Sequence, residues 1–364
     1  MTSPALHLRG VVLPDGEQRD LWAVDGRLTY EPVRGAETVA DRGWVLPGLV
    51  DCHCHVGMQP DGYADTFDRD TDEVLAEEAA TDRDTGALLL RDCGSPVDNR
   101  SVQAREDMPR LIRAGRHVAR PKRYLRDLGV EVEPDGLVAA LEEQAAFGDG
   151  WVKLVGDWID RSIGDLAPLW PDDVLAAAVA RAHELGVRVA VHCFGEDAIP
   201  GLVAAGVDDI EHATGLSGPL VDEVARRGIR ITPTLVNIDT FPAIAESAGK
   251  FPAYAAHMLA LHRGSRGNVR DAYEAGVPIL AGTDAGNAQP HGLIVKEILE
   301  LHAAGLPAEA ALAAGSWSAR DFLGLPGLVE GAPADLVVYP ADPRADLTTL
   351  ATPTRILLRG HVIR

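Results

Sequence analysis

The stretch "WVLPGLVDCHCHV", residues 44–56, sets an apolar run directly before two cysteines and two histidines in alternation. A short apolar run bounded by Pro-Gly and closed by polar residues reads as a buried strand. On a strand, residues two apart share a face and lie about 7 Å apart. His53 and His55 are therefore expected on one face, with Cys52 and Cys54 together on the other. One metal ion could not readily use both pairs. A thiolate zinc site usually draws on further cysteines at short spacing, and Cys93 and Cys193 offer none. The cysteines read as small buried hydrophobes, and the histidines as the candidate ligands.

The punctuation seen at this first strand recurs along the chain. Helical patterns repeatedly end at a glycine that opens a short apolar run, and the run closes on a polar residue. The instances are "GALLLRDC" from Gly86, "GWVKLVGD" from Gly150, "GVRVAVHC" from Gly186, "GVDDIEH" from Gly206, "GIRITPT" from Gly228 and "GVPILAGTD" from Gly276. "RHVARPKRY", residues 116–124, is a weaker third member. Helices are expected between them, for example over 134–148 and 171–186, where Pro and acidic residues begin the pattern and Gly follows it.

Eight strands alternating with helices imply a parallel sheet covered on both faces. Polar residues finish strand after strand, which favours a closed (β/α)8 TIM barrel over residues 47–329, where those ends meet on one rim, above an open doubly wound sheet. The two chain ends, 1–46 and 330–364, read as short strands and turns. Neither can form a substantial core alone, so both are expected to pair in one small composite β-domain, a β-sandwich.

Composition narrows the partners. The chain has 364 residues with 34 Lys+Arg against 55 Asp+Glu, a formal charge of −21, which disfavours nucleic acid and anionic membrane as partners. No apolar stretch reaches transmembrane length and no signal-peptide pattern opens the chain, so a cytoplasmic location, reduced cysteines and a small-molecule substrate are expected. A homo-oligomer is left open. Only Lys122, Lys153, Lys250 and Lys296 are lysines, so a lysine here is a rare choice.

Lys153, His192, His212 and Asp284 all stand at predicted strand ends beside the histidine pair. Neutral imidazole and carboxylate are ordinary ligands of Zn2+ and similar ions. Each residue alone has a plain structural reading: a hydrogen-bonded histidine, an aspartate capping a turn, a lysine paired with a buried carboxylate. Their joint appearance on one rim points instead to a metal site.

These residues carry a resemblance. "WVLPGLVDCHCH", "GWVKLVGDW", "VAVHCFGEDAIPGLVAAGVDDIEHATGL", "GVPILAGTDAG" and "EGAPADLVVYPADP" resemble successive signatures of the metal-dependent amidohydrolase superfamily, most of all its imidazolonepropionase-like and prolidase-like branch. The resemblance covers nearly the whole chain. It implies two divalent metal ions, taken as Zn2+, with His53, His55 and Asp284 on one and His192 and His212 on the other. It further implies a carboxylated Lys153 and a hydroxide as bridges, Asp284 as catalytic proton shuttle, and hydrolysis of an amide-type C–N bond in a dipeptide, an N-acyl amino acid or a cyclic amide.

Two alternatives stand beside it. A mononuclear deaminase of a heterocycle would share the histidine pair, His192 and Asp284 and would need a nearby glutamate; Glu196, four residues after His192, is the candidate. A non-catalytic barrel relative serving interaction or assembly would show lost ligands, and all six positions are filled. For the substrate, the basic cluster "RPKRYLRD", residues 120–127, offers Arg123, Arg126 and Tyr124 to a carboxylate. Trp158, Asn237 and His291 fall in predicted rim loops, and the loop "GMQPDGYADTFDRD", residues 57–70, is a candidate lid.

Overall fold

The computed structural model describes residues 4–59, 62–63, 66, 68–286 and 288–364. The proposed lid falls partly outside them: residues 60–61, 64–65 and 67 are not described, and the remainder includes the short strands Met58–Gln59 and Gly62–Tyr63, paired antiparallel.

Seven of the expected barrel strands form as parallel ladders. Leu49–Cys54 pairs with Ala87–Asp92, which pairs with Arg110–Arg113. Val118–Ala119, Trp151–Val155, Arg188–Cys193, Asp209–His212 and Arg230–Thr232 follow in order. The third strand thus begins earlier than "RHVARPKRY" suggests and comes in two pieces. The eighth run forms no continuous strand, but Ile279 bridges Ile231 and Ala285 bridges Cys54. Leu280 N donates to Ile231 O and Cys52 N to Ala281 O, so the 279–285 segment lies hydrogen-bonded to both the Arg230–Thr232 and the Leu49–Cys54 strands.

Alternation along these strands feeds two separate cores. Val152, Leu154, Val189, Val191 and Ile210 pack with Leu175, Val179 and Leu202 of the helices. Their neighbours Trp151 and Ala190 join Val50, Leu89 and Leu280 in a second cluster. Both faces of the sheet are therefore buried, as a βα-alternating chain requires. The helices between lie where expected, at Leu137–Phe147 and Asp172–Glu184. Among the described residues, no helix is long and apolar enough to cross a membrane.

The two chain ends share one sheet of eight strands. Its order runs His361–Val362, Arg355–Leu358, Leu336–Tyr339, Trp44–Pro47, Leu6–Val12, Glu17–Val24, Arg27–Thr29, with Glu37–Ala40 also on Leu6–Val12. Leu8, Leu21, Leu28, Val45, Leu336, Val338 and Leu357 give it a core of its own.

Inside the parallel strands sits a buried charge network. Arg91 ion-pairs with Asp209, donates through Nε to Cys52 O at 2.6 Å and lies over the Trp151 ring at 4.6 Å. Asp209 also accepts from Thr232 Oγ1 at 2.8 Å. Removing one partner of a buried pair leaves an uncompensated charge, at about 3–5 kcal/mol. Arg91→Met should lower the unfolding free energy by an amount of that order, read as a lower urea midpoint, and adding Asp209→Leu should restore much of it; equilibrium unfolding of the three proteins checks both.

Candidate metal centre

The first strand does not alternate to its end. Its register shifts between Asp51 and Cys54, and Cys52 and Cys54 fall into different clusters, Cys52 beside Leu89 and Trp151, Cys54 beside Leu90 and Val56. The expectation that the two cysteines share a face is therefore corrected: an irregularity in the strand separates them. His53 and His55 nonetheless meet, with Nε2 atoms 3.2 Å apart.

Asp284 closes the arrangement. Its Oδ1 lies 3.1 Å from His53 Nε2 and 3.0 Å from His55 Nε2. His55 Nδ1 is 2.8 Å from the Gly94 carbonyl oxygen. A carbonyl can only accept, so Nδ1 carries the proton and Nε2 of neutral His55 is a bare lone pair. That lone pair faces a carboxylate oxygen. Acceptors set this close favour a cation among them, and a ring fixed through its far nitrogen is how ligating histidines are held.

Two more histidines reach the same place. His212 follows Glu211 directly, so strict alternation would turn them to opposite faces. His212 instead takes a left-handed backbone, φ 65°, as does Asp284 at φ 57°. Such conformations cost a non-glycine residue roughly 1–2 kcal/mol. Here they let His212 and Glu211 both stay beside His53: the His53 and His212 rings are 5.1 Å apart, and Glu211 Oε1 is 3.4 Å from His53 Nδ1. Thr234 Oγ1 fixes His212 at Nδ1, 2.7 Å away. The His192 ring lies 4.7 Å from His212, and its Nε2 is buried with no hydrogen-bond partner among the described residues. His53, His212 and Asp284 each place a ligand atom within 4.8 Å of the others, as do His53, Cys93 and Glu211. The donor set, imidazole nitrogens with carboxylate oxygens, suits a divalent transition metal.

Electrostatics follow from burial. It resists ionising Asp284, but the surrounding His53, with its hydrogen bond, and His212 hold the carboxyl well below the usual carboxylate range. Burial takes His192 down to about 3 and Lys153 to about 8. Lys153 Nζ is hydrogen-bonded to Glu211 Oε2.

The sequence profile of the Amidohydrolase family matches residues 164–363. The chain belongs to that family. This amidohydrolase, an enzyme acting on carbon–nitrogen bonds, is 54% identical over 357 residues to an uncharacterized protein of Mycobacterium tuberculosis, covering 98% of this chain and 95% of the relative. It is 25% identical over 375 residues to ochratoxinase of Aspergillus niger, covering 86% and 73%. In fold it is similar to the crystal structure of that ochratoxinase, with a TM-score of 0.83 at 18% identity over 100% of this chain and 96% of that one. It is similar also to a Xaa-Pro dipeptidase with methionine bound in its active site, with a TM-score of 0.82 at 22% identity over 99% and 100%. The amidohydrolase superfamily read from the motifs holds.

Around the amidohydrolase's histidines the residues singled out for substrate divide. Asn237 Nδ2 donates to Asp284 Oδ2 at 2.6 Å, and the rings of Tyr124 and Trp158, 4.7 Å apart, lie 5.5 and 5.4 Å from His192. Arg123 is engaged elsewhere. It donates to Asp160 Oδ2 at 2.9 Å and to the carbonyls of Trp158 and Ala167, fastening the hairpin Asp157–Asp160/Asp165–Pro168. His291 likewise turns from the histidines toward the helix Thr71–Asp84, with Nδ1 2.7 Å from Asp82 Oδ2 and Nε2 3.6 Å from Glu78 Oε2. Two acidic side chains there outcompete the rim. Glu196 is 2.8 Å from His257 Nε2 and mostly exposed.

Sequence reasoning passed over three residues. Glu211 was visible only as a charge inside a strand, Cys93 only as a strand-end cysteine, and His117 carried no motif. His117 is fully buried, and its ring lies 5.1 Å from that of His55, nearly parallel at 23°.

Burial works against protonating His291, yet Asp82 raises its pKa to about 9. The ordinary value is about 6.5. The folded value is the higher one, so the stability it contributes is complete below pH ~6.5 and is lost as pH rises through about 9. Between those limits the parent's unfolding midpoint should fall more steeply with pH than that of His291→Gln, measured by urea denaturation across the range.

Proposed function

We propose that this chain is a metal-dependent hydrolase that cleaves an amide-type C–N bond in a small molecule: a dipeptide, an N-acyl amino acid or a cyclic amide. The observation that carries the reading is the meeting of His53 Nε2, His55 Nε2 and Asp284 Oδ1 within 3.2 Å. The relatives named above, a dipeptidase and an ochratoxinase, support the substrate range. The parallel strands are read as a closed (β/α)8 barrel, which the bridges of the 279–285 segment to its neighbours on either side support. The sheet of both chain ends is read as the composite β-domain.

His53, His55 and Asp284 would hold one divalent ion, taken as zinc, and His192 and His212 a second, with Lys153, carboxylated, between them. Such ions act as Lewis acids and lower the pKa of water toward ~7. Lys153 suits carboxylation because burial brings its amine to about 8, so a neutral fraction exists near neutral pH. That amine can add to CO2, forming the N–C bond as a proton leaves.

Asp284 is the proton carrier in this reading. It would take a proton from the attacking water. Asn237, donating to Oδ2, orients it. The proton then passes to the leaving nitrogen, water's oxygen stays on the acyl carbon, and acid and amine are the products. Glu196, bonded to His257, is remote from this task, which weighs against the deaminase alternative.

A hydrolysis screen over dipeptides and N-acyl amino acids tests the reading. The parent should release amine and lose activity on chelation, regaining it with Zn2+. Asp284→Asn should lower kcat by about 10²–10⁴-fold, and Lys153→Ala should lower the metal content measured by mass spectrometry. An active protein free of transition metal, or ammonia release from heterocycles with no amide cleaved, would sink it.

A further inference from the structure

His55 and His212 are each fixed through Nδ1, by the Gly94 carbonyl and by Thr234 Oγ1. His53 has no such bond. Its Nδ1 is buried and unpartnered among the described residues, and it faces Glu211 Oε1, 3.4 Å away, which is buried and unpartnered too. One of these atoms can donate and the other can only accept, so together they are a single hydrogen bond left open. Buried polar groups are nearly always paired, and an exception in a native fold calls for an explanation.

The explanation lies at the other end of the ring. His53 Nε2 stands 3.1 Å from Asp284 Oδ1 and 3.2 Å from the bare Nε2 of His55. With two acceptors beside it, Nε2 is the better place for the proton of a neutral His53 while no cation is present. A cation held by these three atoms needs the Nε2 lone pair, and the proton then belongs on Nδ1. Glu211 Oε1 is the acceptor waiting there.

The backbone leaves His53 little else to adjust. Its N–H donates to Asp51 Oδ1 at 3.0 Å, its carbonyl accepts from Thr283 N and Asp284 N, and a Cβ on Gly282 would stand 2.7 Å from its own Cβ. Glu211 is held as firmly. It is fully buried, Lys153 Nζ donates to its Oε2, and Arg91 lies 3.7 Å from Oε1. Cys93 completes a group of three ligand-type side chains with His53 and Glu211, but its thiol faces the carbonyls of Cys52 and Arg91. A carboxylate already flanked by two cationic side chains is suited to orienting a ligand rather than to being one.

We propose that Glu211 is a positioning residue of the metal centre: Oε1 accepts the Nδ1 proton of His53 when a cation takes Nε2, while Oε2 keeps its hold on Lys153. The proposal rests on the metal-dependent reading above. The shift moves one proton between the two nitrogens of a neutral ring and changes no charge. Carboxylation of Lys153 is compatible with it, because the carbamate nitrogen keeps one N–H for Oε2. Carboxylates that receive the far N–H of a ligating histidine strengthen metal binding about 10–100-fold.

The test measures zinc affinity by chelator competition, starting from metal-free protein. Glu211→Met should bind zinc about 10–100-fold more weakly than the parent, yet hold as much of it at saturation. Glu211→Gln, whose amide oxygen can still accept from Nδ1, should lose less. Glu211→Asp keeps the charge but is one methylene short of His53, and should lose more than Glu211→Gln; that order decides the matter should Glu211→Met not fold. In a Lys153→Met background, adding Glu211→Met should weaken binding further. Four results would overturn the proposal: zinc affinity of Glu211→Met within twofold of the parent; less zinc at saturation, which would make Glu211 a ligand; a smaller loss for Asp than for Gln, which would make charge alone responsible; or no further loss in the Lys153→Met background, which would route the effect through Lys153. A parent that takes up no zinc would bring down the metal-dependent reading and this proposal with it. No substrate enters these measurements, so a failure to cleave any amide would count against the hydrolase reading alone.

Discussion

The meeting of Asp284 Oδ1 with the Nε2 atoms of His53 and His55 is the constraint on which the rest of the site depends. Two acceptors, Asp284 Oδ1 and His55 Nε2, lie 3.0 Å apart with His53 Nε2 within 3.2 Å of both, and the Gly94 carbonyl removes the freedom of His55 to relieve the contact by moving its proton. In a low-dielectric interior such a cluster is unfavourable unless a positive charge joins it. The backbone around it is arranged accordingly. Asp51 holds His53 N and Thr283 at once, bonding the first strand to the segment that carries Asp284. Asp92 does the same for Val56 and Gly94. These carboxylates position strand ends rather than carry out chemistry.

Chain geometry explains why so many polar side chains can face one point. Lys153 and His192 follow the period of two, each flanked by residues that pack toward the helices. The remaining ligand-type residues depart from it. The irregularity between Asp51 and Cys54 re-aims the first strand, and left-handed backbones at His212 and Asp284 turn the ends of two others. Local strain concentrated at a functional site is the expected pattern where geometry matters more than stability. Glu211 gains from the same device, pairing with Lys153 in the layer beneath, above the Arg91–Asp209 pair.

The sequence carried the strands and the six ligand-type residues well because both follow from periodicity and glycine punctuation. The eighth strand was legible as an apolar run, although its backbone bonds are too few for a continuous ladder. Side chains whose role depends on a distant partner were not legible. Arg123 and His291 stood in the expected loops, but Asp160, Asp82 and Glu78 determine where they point, and no local pattern announces those pairings. Cys52 and Cys54 were assigned to one face by a rule that the strand irregularity breaks. His117 lay in the weakest of the strand predictions, and its stacking on His55 is a property of the packed molecule.

The central claim is that the acceptor cluster exists to hold divalent cations. Calorimetric titration of the metal-free protein with Zn2+ tests it most directly. Saturable uptake is expected, with loss of uptake in His55→Ala. Titration with no saturable binding, or unchanged binding in His55→Ala, would contradict it.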